Sequence, residues 1–114
     1  MLNEVSEFCY AEQVDEHVES GGIILDVRSE YEWRQGNMKN SINIPVDELR
    51  SRIGELDKRK KILVYCQVGQ RAHVAVRILL QHGFRAMNLS GGYRTCIAYV
   101  NKKAKGELPV LSLK

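Results

Sequence analysis

The chain has 114 residues, 44% of them hydrophobic, enough for one compact domain with a real core and too little for a second. The 17 basic and 14 acidic residues leave a net charge of +3, too small and too evenly scattered to point to nucleic acid. No apolar run approaches the ~20 residues a membrane helix needs. The opening MLNEVSEFCYAEQ carries two early glutamates and no basic flank ahead of an apolar core, so it does not read as a secretory signal.

In chain order, residues 4–8 suit an edge strand and residues 11–19 a helix. Ile23-Ile24-Leu25-Asp26-Val27, after Gly21-Gly22, is a short apolar run that predicts a buried strand. Tyr31 and Trp33 fall in a charged segment and are expected to anchor the loop before Gln35-Gly36. Residues 41–44 predict another strand, stopped by Pro45, and residues 46–53 a short helix. The basic cluster Lys58, Arg59, Lys60 and Lys61 directly precedes an apolar run, which favours a solvated turn over a phosphate-binding patch. Ile62-Leu63-Val64-Tyr65 is the next strand.

The clearest helix runs over residues 70–82. His73, Arg77 and Gln81 recur every four residues as a polar stripe, while Ala72, Ala75, Val76, Ile78, Leu79 and Leu80 cover most of the rest. Gly83 sits where a left-handed residue ends a helix. Ala86 to Leu89 forms a weaker strand closed by Gly91-Gly92, and the tail from residue 101 reads as a basic extension. Apolar strands alternating with helices give an α/β fold with a mostly parallel sheet, in which ligands bind where strands end and helices begin.

That rule points to Cys66-Gln67-Val68-Gly69-Gln70-Arg71, between the strand at 62–65 and the helix that follows. A cysteine at a helix N-terminus is stabilised as a thiolate by the helix dipole and by free backbone N–H groups. Gly69 lets the backbone turn so that successive N–H groups face inward as an anion nest. Arg71 closes the loop with a fixed cation and a forked donor. A nucleophile that attacks sulfur or phosphorus needs these features; the competing reading is an inert cysteine packed at a strand end.

Strand, Cys66-x-x-Gly69-x-Arg71, helix resembles the active-site loop of the rhodanese superfamily. LDVRSEYEWRQGNMKNSINIP (residues 25–45) is similar to that family's Asp-Val-Arg segment and the Gly-His-Ile-Pro-Gly segment after it, and NLSGGY (residues 88–93) to its late Leu-x-Gly-Gly-Trp element. The resemblance implies a rhodanese-like fold, with a mostly parallel five-stranded sheet flanked by helices on both faces, over residues 1–114 as a single domain with a core at about 4–100. It implies a persulfide relay: Cys66 accepts a sulfane sulfur and passes it to a thiol or cyanide, with no metal or organic cofactor. The amides of Gln67, Val68, Gly69, Gln70 and Arg71 would hold the persulfide, Arg28 would border the pocket, and Asp26 reads as an ion-paired support. Arg28 could equally pair with Glu30 or Glu32.

The sequence departs from the family's pattern at Gly36-Asn37-Met38-Lys39-Asn40, where Asn40 can still take the left-handed conformation of a glycine. Tyr93 in place of tryptophan changes packing more than chemistry. Four residues separate Cys66 from Arg71; phosphatases of the related fold use a loop one residue longer, so the ring favours sulfur over phosphorus. Gln67, Val68 and Gln70 are neutral, which leaves Arg71 as the loop's one charge and makes the thiosulfate dianion a poor donor beside a protein-bound or low-molecular-weight persulfide.

Cys9 and Cys96 make three widely spaced cysteines with Cys66. That pattern suits free thiols in a reducing, cytoplasmic setting. Cys96 reads as a packed helical cysteine, with resolution of a Cys66 persulfide as the alternative. His17, His73 and His82 lack zinc spacing. The stretch after Cys66 also looks like rhodanese domains fused behind flavin-dependent disulfide reductases; FAD and nicotinamide would then belong to that partner, fused or separate. A non-catalytic persulfide carrier or sulfur-sensing module that docks to a partner is the alternative reading, with no nucleic acid and no membrane involved in either.

Overall fold

Five strands, all parallel, form one sheet in the computed structural model, which describes residues 7–103. They are β1 (Glu7–Cys9), β2 (Ile23–Asp26), β3 (Ile42–Asn43), β4 (Ile62–Tyr65) and β5 (Ala86–Leu89), in the spatial order β1-β5-β4-β2-β3. The central β4 is buried along its whole length, which is why ILVY shows no polar alternation: a strand covered on both faces has no solvent side to mark.

One face of the sheet is covered by α3 (Leu49–Arg52) and α4 (Gln70–Gln81). There Leu25, Val27, Ile62 and Val64 pack against Leu49, Ala72, Ala75, Val76 and Leu79. The other face is covered by α1 (Val14–Glu19) and α5 (Gly92–Lys103), where Val14, Tyr93 and Cys96 meet Ile24, Leu63, Tyr65 and Leu89. The α/β class, the five parallel strands and the helices on both faces agree with the sequence reading. The apolar stripe of α4 is buried and His73, Arg77 and Gln81 are exposed, as the four-residue period requires. Gly83 has φ +84° and Asn40 φ +65°, so both left-handed positions stand where the sequence put them.

Two elements differ from expectation. Residues 30–35 are a helix, α2 (Glu30–Gln35), not a loop. Its N-cap Ser29 accepts the Glu32 N–H at 3.2 Å, and the Glu32 carboxylate accepts the Ser29 N–H at 3.0 Å. Tyr31, on this helix, is 73% exposed and anchors nothing, whereas Trp33 donates its indole N–H to Ser41 Oγ at 3.0 Å. The helix α5 is also far longer than the Cys96–Ala98 patch that suggested it. The expected edge strand at 4–8 appears as Glu7–Cys9; residues 4–6, and the tail beyond Lys103, lie outside the described residues.

Candidate functional site

All five strands run parallel, so their C-terminal ends gather at one rim. Cys66 stands on that rim at the end of β4, and α4 begins four residues later. The loop between them turns at Gly69, whose φ of +113° is open to glycine and strained for other residues. The turn aims the Gly69 N–H at Cys66 Sγ (3.0 Å), and the first turn of α4 brings the Ala72 N–H to the same sulfur (3.3 Å). The sulfur thus sits at the positive end of a 12-residue helix, receiving two main-chain donors. The residue is 1% exposed, so the thiol is wrapped by its own loop while the amides face it.

The loop is held from behind. The Tyr93 N–H donates to the Cys66 carbonyl at 2.8 Å and the Arg94 N–H to the Gln67 carbonyl at 3.2 Å, so the first N–H groups of α5 draw these carbonyls outward while the amides of Gly69 and Ala72 point inward. Contact this close requires a glycine at 92. A Cβ built there would lie 2.6 Å from both the Cys66 and Gln67 carbonyl oxygens, and its φ is +67°. From β5, Asn88 donates its side-chain N–H to the Gly69 carbonyl at 3.2 Å, a second brace. Gly92 and Asn88 were not singled out as site residues in the sequence, although the Gly-Gly turn carries the first signal.

Arg28 and Asp26 form a buried pair, 3% and 0% exposed. Arg28 Nη2 donates to Asp26 Oδ2 at 2.7 Å and to the Gly36 carbonyl at 2.7 Å, and its Nε reaches both carboxylate oxygens at 3.1 Å. The guanidinium lies 4.4 Å from the Tyr93 ring centre and 5.4 Å from that of Tyr65. Burial opposes its charge, but the hydrogen bonds and attraction of Asp26 more than offset that and raise its pKa. The remaining donor, Nη1, points to Gln67 Oε1 at 3.4 Å. Pairing of Arg28 with Glu30 or Glu32 is therefore corrected: Glu30 binds Arg34, and Glu32 binds Arg71. Asp26 wins because it is two residues away on the same buried strand end, while Glu30 and Glu32 turn outward on α2.

Arg71 is not a free cation. Its Nη1 and Nη2 fork onto Glu32 Oε1 and Oε2 at 2.7 and 3.0 Å. The hydrogen bonds from Arg71 hold the Glu32 carboxyl down to about 2. With 40% and 33% of the two side chains exposed, solvent screening limits the pair to about 1 kcal/mol or less. The signal for Glu32 was present as Ser29-x-x-Glu32, a capping-box spacing that announces a helix start.

Arg28, Gln67 and Tyr93 border a cleft of about 320 Å³, and Arg71 borders a neighbouring one of about 550 Å³. Val68, Gly69 and Gln70 line a third, of about 320 Å³, on the other side of the loop. Among the described residues, no three of His, Cys, Asp or Glu gather as a metal site, and no helix is long and apolar enough to cross a membrane.

A model of the rhodanese-like domain matches residues 10–97. Among curated proteins, the chain is 32% identical over 112 residues to the tRNA uridine(34) hydroxylase of Hamiltonella defensa, covering 91% of this chain and 31% of that protein. With the protein of the same name from Yersinia enterocolitica it shares 29% over 114 residues, covering 93% and 32%. The chain thus spans about a third of the length of the curated relatives it matches. Among solved structures, reduced CoADR-RHD of Bacillus anthracis superposes with a TM-score of 0.80 at 38% identity, covering 85% of this chain and 17% of that one. A rhodanese-related protein of Thermoplasma volcanium gives 0.76 at 32% identity, covering 92% and 97%. With the Cys66 sulfur at the N-terminus of α4, a five-stranded parallel sheet behind it and a family match over most of its length, the chain belongs to the rhodanese-like domain family.

Proposed function

We propose that this domain is a sulfurtransferase that carries sulfane sulfur on Cys66. The observation that supports this reading is the paired donation of the Gly69 and Ala72 amides to Cys66 Sγ at 3.0 and 3.3 Å. Donors aimed at a sulfur stabilise it both as an attacking thiolate and as a leaving group. In the first half-reaction the Cys66 thiolate attacks the outer sulfur of a persulfide R–S–SH. A new S–S bond forms at Cys66, the donor's S–S bond breaks, and R–S⁻ leaves with the electron pair. In the second, an acceptor thiolate or cyanide attacks the outer sulfur and Cys66 departs as thiolate. The outer sulfur stands one bond beyond the enclosed Sγ, against the remaining amides of Gln67 to Arg71, of which those of Gln70 and Arg71 open α4 and have no intrahelical partners. No metal or organic cofactor enters these steps.

In this reading Asp26 and Arg28 position the loop through Gln67, since a 3% exposed guanidinium with most of its donors committed has little to offer a substrate. The likeness to CoADR-RHD supports a fused or separate FAD-dependent disulfide reductase as partner, and the free thiol of Cys66 suits a reducing compartment. Intact mass after incubation with glutathione persulfide tests the chemistry. A gain of one sulfur atom, absent in Cys66→Ser, is expected; an unchanged mass rejects it. Turnover with cyanide or a thiol separates an enzyme from a carrier that only docks. The curated relatives favour a second reading, in which the domain serves uridine hydroxylation in RNA. Cys66-dependent hydroxyuridine in treated tRNA, without sulfur loading of Cys66, would put that reading first.

A further inference from the structure

Both guanidiniums near the sulfur already carry a bidentate carboxylate: Arg28 holds Asp26, and Arg71 holds Glu32. Gln67, Val68 and Gln70 add no charge, so the loop faces an incoming donor with amides and no uncommitted cation from either arginine. The cleft in front of Arg71 reinforces this. Its walls include Glu30, Asp47 and Glu48, and its other guanidinium, Arg52, is bound to Glu48 and Glu55 at 2.9 Å each.

The donors differ in what they bring to that surface. Thiosulfate arrives with two negative charges and leaves as sulfite, also a dianion, while the Cys66 thiolate adds a third: Cys–S⁻ and S–SO₃²⁻ become Cys–S–S⁻ and SO₃²⁻. A persulfide R–S–SH brings at most one charge at its reacting end. We propose that Glu32 is a specificity-determining residue that occupies the Arg71 fork and so turns the site from thiosulfate toward persulfide donors. Glu32 is well placed to hold this position at any ordinary pH: its carboxylate also accepts the Ser29 N–H and hydroxyl at 3.0 and 3.1 Å, so the cap of α2 fixes it opposite Arg71. The pair is solvent-accessible, which means that an anion of sufficient charge competes with Glu32 but must displace it first.

This inference rests on the sulfur-transfer reading and deepens it. The test compares wild type with Glu32→Gln, measuring thiocyanate formation from cyanide with thiosulfate or with glutathione persulfide as donor, with Cys66→Ser as the background. The ratio of the two kcat/KM values, thiosulfate over persulfide, is expected to rise by up to roughly fivefold in Glu32→Gln at low salt, the limit that solvent screening sets on the exposed Arg71–Glu32 pair an anion must otherwise displace. That gain should shrink as ionic strength approaches about 0.5 M, where the Debye length falls to a few ångströms. Glu32→Asp keeps the charge but shortens its reach, so it should move the ratio the same way by a smaller factor; it also serves if Glu32→Gln does not fold. A ratio that stays within about twofold, whether the activities hold or fall together, means Glu32 only braces the loop and overturns the proposal. So does a rise that salt does not diminish. Failure of Cys66 to load sulfur would remove the parent reading; loading with an unmoved ratio removes this one alone.

Discussion

Replacing Gly92 by alanine tests whether the Cys66 loop is held in shape by the helix behind it. The residue has φ +67°, where a side chain costs about 1–2 kcal/mol. The new Cβ would lie 2.6 Å from two carbonyl oxygens of the loop itself, and backbone cannot step aside as a flexible side chain would. Relief requires α5 to back away, which breaks the Tyr93 and Arg94 N–H bonds to Cys66 and Gln67, about 1 kcal/mol each. The expected loss is about 3–4 kcal/mol, a large fraction of the 5–15 kcal/mol typical of a domain. Urea unfolding reads this loss directly. The rate of sulfur loading on Cys66, followed by intact mass below the unfolding transition, reads its effect on the loop and should fall as the carbonyls lose their tether. Gly54→Ala is the control, since nothing lies within 4 Å of a Cβ there, and it should leave both quantities unchanged. If Gly92→Ala stays within about 0.5 kcal/mol of wild type, a margin usual for uneventful surface changes, and loads sulfur as fast, the bracing argument is wrong.

Asp26→Asn leaves Arg28 buried without its counter-ion and should cost about 3 kcal/mol in urea unfolding, against less than about 0.5 for Glu30→Gln in the exposed pair with Arg34; equal costs would contradict the burial argument. Tyr65→Phe removes the hydroxyl that accepts the buried Met38 N–H at 3.0 Å, for an expected loss of about 1–2 kcal/mol by the same measurement. Burial also pushes that phenol well above its ordinary range, so no tyrosinate absorbance from Tyr65 should appear on titration to pH 11 while the fold persists. Burial lowers the pKa of His17, and Lys61 adds to that, although the ring nitrogen Nε2 bonds the Ile23 carbonyl at 2.9 Å. The unfolded chain then takes up a proton that the folded one resists. The stability His17 contributes is complete above its unfolded value of about 6.5 and drains away as pH falls below it. Urea midpoints between pH 8 and 5.5 should show this slope in wild type and a flatter one in His17→Gln; a slope that survives the substitution belongs to another group.

What the sequence carried by itself was whatever depends on a residue and its near neighbours. ILVY read as a buried strand because four apolar residues between turns fit no half-exposed pattern. The stripe of α4 read as a helix because polar residues recur every fourth position. Gly83 and Asn40 read as left-handed, and Gly69 as a turn, because φ is a local property, and Cys66 stood out because a thiol between a strand and a helix start is defined within six residues. The helix at 30–35 is equally local, carried by the capping-box spacing of Ser29 and Glu32.

Which charges meet was decided only in three dimensions. Arg71 and Glu32 are 39 residues apart and become partners because β4 lies beside β2, which brings the first turn of α2 over the first turn of α4. The need for glycine at 92 arises in the same way, since β5 lies beside β4 and delivers the start of α5 onto the carbonyls of Cys66 and Gln67. Backbone dihedrals and side-chain periodicity are written along the chain. Electrostatic pairing and close approach depend on strand order, and strand order is settled by how the whole set of apolar faces is buried at once.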